Sequence, residues 1–231
     1  MIITKNFAEH SKIAEETLKS LEKQIFDASK YMSECLESGG KILWCGNGGS
    51  ATDSMHLSSE LVGRFKNNRR SLRSISLASD SGNLTCISND FGYENVFSRQ
   101  IESLGNKGDI LISLSTSGNS KNIIKAIKSA NELNITTIAF LGKDGGKCKD
   151  LSNLDLKVPS ESTAIIQQIH ITIGHIIVGL VEKDFIYIRG FDKALKLDRE
   201  GRFISNQLSK KFAICDAQHD AQRARKGQRP Q

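Results

Sequence analysis

Asp109-Ile-Leu-Ile-Ser-Leu-Ser-Thr-Ser-Gly-Asn-Ser-Lys121, continued by Asn122-Ile-Ile-Lys-Ala-Ile127, passes from an apolar run through a hydroxyl-rich turn into helical spacing. Residues 109–114 read as a fully buried parallel strand and 122–127 as the start of a helix. Between them, Ser115, Thr116, Ser117 and Ser120 offer hydroxyls, Gly118 lets the backbone turn sharply, and the helix start offers free N–H groups. That combination forms an anion cup without a fixed positive charge, although an ordinary Ser-rich turn with an N-cap has the same composition. A second loop, Cys45-Gly-Asn-Gly-Gly-Ser50, follows the apolar run Lys41-Ile-Leu-Trp-Cys45. Its glycines at 46, 48 and 49 fail the dinucleotide spacing, and no Gly-Lys-Ser/Thr closes it as a phosphate loop of the nucleotide-binding type. Two such loops at the carboxyl ends of strands in one sheet point to one sugar-phosphate site.

Outward from these loops the chain alternates. Apolar strands are expected at 41–45, 72–77, 109–114, 134–140 and 154–158, separated by helical spacing, which predicts an α/β fold with a mostly parallel five-stranded sheet flanked by helices. Ahead of them Leu18, Leu21, Ile25, Ala28, Met32 and Leu36 recur at three and four residues, giving a long N-terminal helix one apolar stripe that needs cover. At 231 residues and 38% hydrophobic content, one such core fits the chain.

Five cysteines with no CxxC pair suit a reducing compartment, and Cys45 reads as a small packing residue. Charged residues from Lys5 onward interrupt any secretory segment, and the run Ile176–Val181 is too short to span a bilayer. A cytoplasmic protein with no membrane attachment is expected. The net charge of +6 lies in residues 186–231, which hold 11 Lys+Arg against 5 Asp+Glu; no folded basic face and no nucleic-acid partner are expected.

His56 and Glu60 are four residues apart on a predicted helix just past the glycine loop, so they face the same way one turn apart. That spacing suits a metal, a proton relay or a plain surface pair. His170, five residues before His175, points elsewhere and is expected to pack; His10 and His219 have no site context. Arg64 is expected to pair with an acidic neighbour.

Six motifs in order carry a resemblance: GNGGSA at 46–51, the helix with His56 and Glu60, ELVGRF at 60–65, NDFGYENVFSRQ at 89–100, STSGNS at 115–120 and IQQIHITIGH at 166–175. The chain resembles the sugar isomerase (SIS) domain family, in the group that converts sedoheptulose 7-phosphate to D-glycero-D-manno-heptose 7-phosphate. The resemblance implies one SIS-type domain over 1–187 and a homotetramer with a helical interface. It implies one Zn2+ per subunit on His56, Glu60, Gln167 and His175, with Glu60 and His175 also as base and acid. It implies substrate contacts at Asn47, Gly48, Gly49, Ser50, Asn89, Asp90 and Gln167, with the phosphate on Ser115, Thr116, Ser117 and Ser120. Asn89 and Asp90 are expected in a loop. Relatives act early in ADP-heptose and lipopolysaccharide core biosynthesis; the alternatives in the same fold are an adaptor that binds a replication initiator and an isomerase of another sugar phosphate. Gln167 and His175 are eight apart, about 12 Å of helical rise, so both meet one ion only if their side chains lean together or the helix begins late.

The chain departs from that pattern twice. Ile165 and Gln168 stand where members carry Arg and Glu, removing a charge pair beside the expected site. Residues 188–231 form a basic extension in which Lys193–Ile204 resembles a decayed phosphatase motif around Asp198, with too little chain after it for a phosphatase domain. Its polar end is expected to be partly disordered. A chain ended near Arg189 should keep the assembly and activity of the full length; dissociation on size exclusion, or lost turnover, would make the extension part of the working protein.

Overall fold

Parallel pairing of five short strands, the central three apolar and buried, organises the chain. In its computed structural model residues 1–186 are described; the predicted extension, with Asp198 and His219, lies outside the described residues. The strands are β1 (Ile42–Gly46), β2 (Ser74–Ser76), β3 (Ile110–Ser115), β4 (Thr136–Leu141) and β5 (Leu154–Lys157). They lie in the order β2-β1-β3-β4-β5, every neighbouring pair parallel. Each expected strand is present, with β2 reduced to three residues.

The helices are α1 (Ile2–Glu37), α2 (Gly49–Val62), α3 (Ser81–Phe91), α4 (Ser98–Leu104), α5 (Lys121–Glu132) and α6 (Thr163–Asp184). They cover both faces of the sheet, and the alternating pleat sends neighbours to opposite sides. Ile42, Trp44, Ile110 and Ile112 enter the cluster with residues of α1, α2 and α6; Leu43, Cys45 and Leu111 enter the cluster with those of α3, α4 and α5. The apolar stripe of α1 buries Leu21, Ile25, Ala28, Met32 and Leu36, but Leu18 is exposed: the covered face runs back through Thr17 and Ile13, and Leu18 lies to one side of it. Helix α6 is long and apolar enough to cross a membrane by length and composition, and half of that apolar window is buried inside the fold. Packing on α1 and α2 accounts for its composition.

The strand order changes direction between β1 and β3. Their registers pair Gly46 with Leu114, so the two loops expected to bind a ligand leave adjacent strand ends. Opposite ends of a doubly wound sheet's strands are not equivalent, and this crevice at the carboxyl ends is where ligands bind.

His170 lies in the core, as expected. It is fully buried, its Nε2 is 3.0 Å from the Leu141 carbonyl oxygen, and its ring meets Phe140 edge-on at 5.7 Å. Burial holds its pKa down, from 6.5 to about 4, against the opposing pull of the Leu141 carbonyl. Below pH 6.5 the unfolded chain takes up a proton that the folded ring refuses until near pH 4, so stability falls across that window. Denaturant midpoints measured from pH 7 to pH 4 should show this decline, worth at most about 3 kcal/mol, and His170→Gln should flatten it. An unchanged pH slope in the variant would contradict the assignment.

Candidate active site

Helix α2 begins at Gly49, immediately after the β1 loop, and carries His56 and Glu60 on one face. Helix α6 runs alongside it. Gln167 on α6 lies against Gly49, Gly174 lies against Leu57, and His175 reaches His56. His56 Nε2 stands 3.0 Å from His175 Nε2 and 3.4 Å from Glu60 Oε1. Ligand atoms of all three residues lie within 4.8 Å of one another. Phe65, from the loop after α2, stacks on the His175 ring at 5.3 Å with 16° between the planes.

Burial lowers the His175 pKa, helped by the neighbouring His56 and opposed by Glu60. A neutral imidazole is the form that ligates a metal. Two imidazole nitrogens and one carboxylate oxygen are a usual donor set for zinc, and ligands about 2.0–2.1 Å from a tetrahedral ion stand about 3.3 Å apart. The observed 3.0 and 3.4 Å separations fit that arrangement. The three residues therefore form a candidate metal-binding site.

Gln167 is placed differently from these three. Its side-chain amide nitrogen would come within 2.6 Å of a Cβ added at Gly49, so a side chain there would push the Gln167 amide aside. Because α6 runs unbroken from Thr163, the helix does not begin late, and Gln167 lies two turns from His175, at the level of the glycine loop. The two departures from the family pattern also separate: Ile165 is buried in the core, while Gln168 is exposed and meets His10 Nδ1 at 2.9 Å. Neither is beside the His–Glu–His cluster.

The two loops are tied directly. Asn47 and Asn122 exchange amide hydrogen bonds of 2.8 and 2.9 Å, and the Tyr93 hydroxyl donates to Asn47 Oδ1 at 3.0 Å. Gly48 and Gly49 are exposed, whereas Ser50 is buried. In the second loop Ser115 is buried and its hydroxyl accepts the Gly118 N–H at 3.1 Å, which shapes the turn. Gly118 has a positive φ of 62°, and a side chain there would strike the Gly145 carbonyl; Cys148 N–H donates to the Gly118 carbonyl at 2.9 Å from the same neighbouring loop. Thr116, Ser117 and Ser120 are half-buried. Ser120 holds the N-cap position of α5 with no side-chain bond to its own helix, so its hydroxyl is free to meet an anion beside the helix N-terminus.

Asn89 and Asp90 are not in a loop. Asp80 caps α3 by accepting the Asn83 N–H at 3.0 Å, and the helix continues to Phe91, where Gly92 with φ 85° ends it. Both residues are exposed on the last turn, and Asn89 donates to Asp90 at 2.8 Å. Arg64 donates to Asn68 Oδ1 at 3.0 Å rather than to a carboxylate. Cys45 is fully buried and its thiol is pushed strongly up by burial, as befits a packing residue. Sequence reasoning missed Asn122, Tyr93 and Phe65. Phe65 lies within the quoted ELVGRF motif, but nothing in its spacing predicts a stack on a histidine over 100 residues away.

The family described as the SIS domain matches residues 6–142. Phosphoheptose isomerase of Helicobacter pylori (strain P12) is 47% identical over 186 residues, covering 80% of this chain and 97% of the relative. That of a Nitratiruptor species is 48% identical over 183 residues, covering 79% and 98%. The solved phosphoheptose isomerase GmhA from Neisseria gonorrhoeae aligns with a TM-score of 0.73 and 40% identity, over 78% of this chain and 97% of that one. With its motifs on the two loops and on α2 and α6 of this sheet, the chain belongs to the SIS domain family, in its phosphoheptose isomerase branch.

Proposed function

We propose that the protein interconverts sedoheptulose 7-phosphate and D-glycero-D-manno-heptose 7-phosphate through an enediolate. The convergence of His56, Glu60 and His175 carries this reading, on helices that follow the same sheet as the hydroxyl-rich start of α5. Relatives 47–48% identical across nearly their whole length bear the matching name.

The phosphate rests on the Thr116, Ser117 and Ser120 hydroxyls and the N-terminal N–H groups of α5, on the loop that Ser115 shapes. Asn47, Gly48, Gly49 and Ser50 line the sugar, with Gln167 above the glycine loop; Asn89 and Asp90 meet its hydroxyls from the end of α3. Glu60 takes the proton from the carbon next to the ketose carbonyl, and His175 gives a proton to the carbonyl oxygen. The enediol then returns through the reverse transfers on the adjacent carbon and oxygen, leaving the aldose with no net change of atoms. His56, Glu60 and His175, with Gln167 as a fourth ligand after a shift of its side chain, would hold one Zn2+, which supplies Lewis-acid polarisation of the substrate oxygens.

The catalytic unit in this reading is residues 1–187, with 188–231 an extension. Exposed Ile2, Ile3, Phe7, Leu18 and Phe26 on α1 support a helical interface in a homotetramer. The reaction is placed in the cytoplasm, early in ADP-heptose and lipopolysaccharide core synthesis.

Two measurements test the reading. Incubation with sedoheptulose 7-phosphate should yield the aldose, and a chelator should abolish turnover; His56→Ala should lose bound metal and activity together, about 10-fold or more, with the fold intact by circular dichroism. Full turnover by metal-free protein would remove the metal role. Ser120→Ala should chiefly raise KM, because a phosphate remote from the reacting carbons is gripped equally in ground and transition states. A fall in kcat at constant KM would exclude Ser120 from that grip.

A further inference from the structure

A buried ion pair behind the cluster has no part in the steps above. Glu182, on the last turns of α6, is 1% exposed. Its Oε1 accepts the Phe65 N–H at 2.9 Å, and its Oε2 accepts the Lys66 and Asn67 N–H groups at 3.0 Å and the Asn67 side-chain amide at 3.1 Å. Burial alone would raise the Glu182 pKa; the bonds from Lys66, Phe65 and Asn67 together outweigh it, so the carboxylate stays charged.

Its counter-charge is Arg69, whose side chain is fully buried with Nε 3.6 Å from Glu182 Oε1. The rest of that guanidinium caps the end of α2. Nη2 donates to the Glu60 carbonyl at 2.5 Å, and Nη1 donates to the Leu61 and Gly63 carbonyls at 2.8 and 2.9 Å. One buried pair thus grips the backbone of Glu60, the helix that carries His175, and the loop that lays Phe65 on the His175 ring.

We propose that Arg69 and Glu182 are positioning residues, and that through them and Phe65 the spacing of Glu60 and His175 is set before any ligand arrives. The inference rests on the functional reading given above. It makes a specific demand on the stack: a flat ring at position 65 fixes the plane of His175 and hence the direction of Nε2, whereas an aliphatic side chain fills the space without fixing that plane. A merely structural role for the pair would be insensitive to that difference.

The test uses the full-length chain with Phe65→Leu, Phe65→Tyr and Glu182→Gln, all checked for assembly and thermal midpoint. Zinc affinity is measured by titration of metal-free protein, and kcat and KM on sedoheptulose 7-phosphate. Phe65→Leu should weaken zinc binding and lower kcat, each by about 10- to 100-fold, with KM little changed. Phe65→Tyr, which keeps a ring on His175, should recover most of both losses. Glu182→Gln should reproduce the Phe65→Leu defect where it folds; if it does not fold, the Leu and Tyr pair decides alone. Wild-type zinc affinity and kcat in Phe65→Leu would overturn the proposal. Should the wild-type protein turn over without binding zinc, the metal reading fails separately, and a kcat for the Leu variant equal to that of the Tyr variant would still overturn positioning by the ring.

Discussion

Everything at the site depends on two parallel strands lying side by side. Because β1 and β3 are neighbours in register, their carboxyl ends release the glycine loop and the hydroxyl-rich loop next to each other, though about 70 residues separate them in the chain. The reciprocal Asn47–Asn122 amide bonds then close that gap with a fixed geometry. A parallel sheet needs helices on both faces, and it is this requirement that brings α2 and α6 together on one side. The imidazoles and the carboxylate meet because two core helices pack, not because any local motif assembles them.

Small residues decide how closely those helices and loops approach. Gly49 lets Gln167 lie over the start of α2, and Gly174 lets Leu57 settle against α6. Next to these contacts, a completely buried arginine is a costly component, since a guanidinium taken out of water must recover its hydration from fixed partners. Arg69 recovers it from three carbonyls at the end of α2 through its two Nη groups, while its Nε has only the charge of Glu182 at 3.6 Å and no hydrogen bond. Carbonyls at a helix terminus have no partner within the helix, and Arg69 serves them here, sharing that of Leu61 with the Leu72 N–H.

Much of this was legible in the sequence. Unbroken apolar runs ending in Gly- or Ser-rich turns give strands with ligand-binding ends, and the i, i+4 pair His56–Glu60 gives its own helical face. What stayed hidden has a physical cause in each case. Asn89 and Asp90 read as a turn because Asn-Asp-Phe-Gly has turn composition, yet the Asp80 cap and the fold around it extend α3 through them. Leu18 has the spacing of a buried residue, but the face of α1 turned to the core runs through Ile13, Thr17 and Leu21, and Leu18 lies to one side of it. Arg69 and Glu182 look like surface charges, since Arg and Glu are seldom buried and nothing local tells that they are paired. Gln167 and His175 are two turns apart on α6, with Gln167 against Gly49 at the start of α2 and His175 against His56 further along it.

The amide pair at Asn47 has a chemical implication of its own. Asn47-Gly48 is the dipeptide in which a glycine nitrogen most easily attacks the preceding side-chain carbonyl, losing ammonia and leaving an acid or an isomerised backbone. Here that carbonyl is occupied by Asn122 and Tyr93, which restrains it from the attacking geometry. If the restraint failed as a preparation aged, an extra carboxylate would appear between the two loops, in the place where an incoming phosphate needs a surface free of negative charge. The hydrogen bonds that join the loops thus also guard the chain against its own slow chemistry.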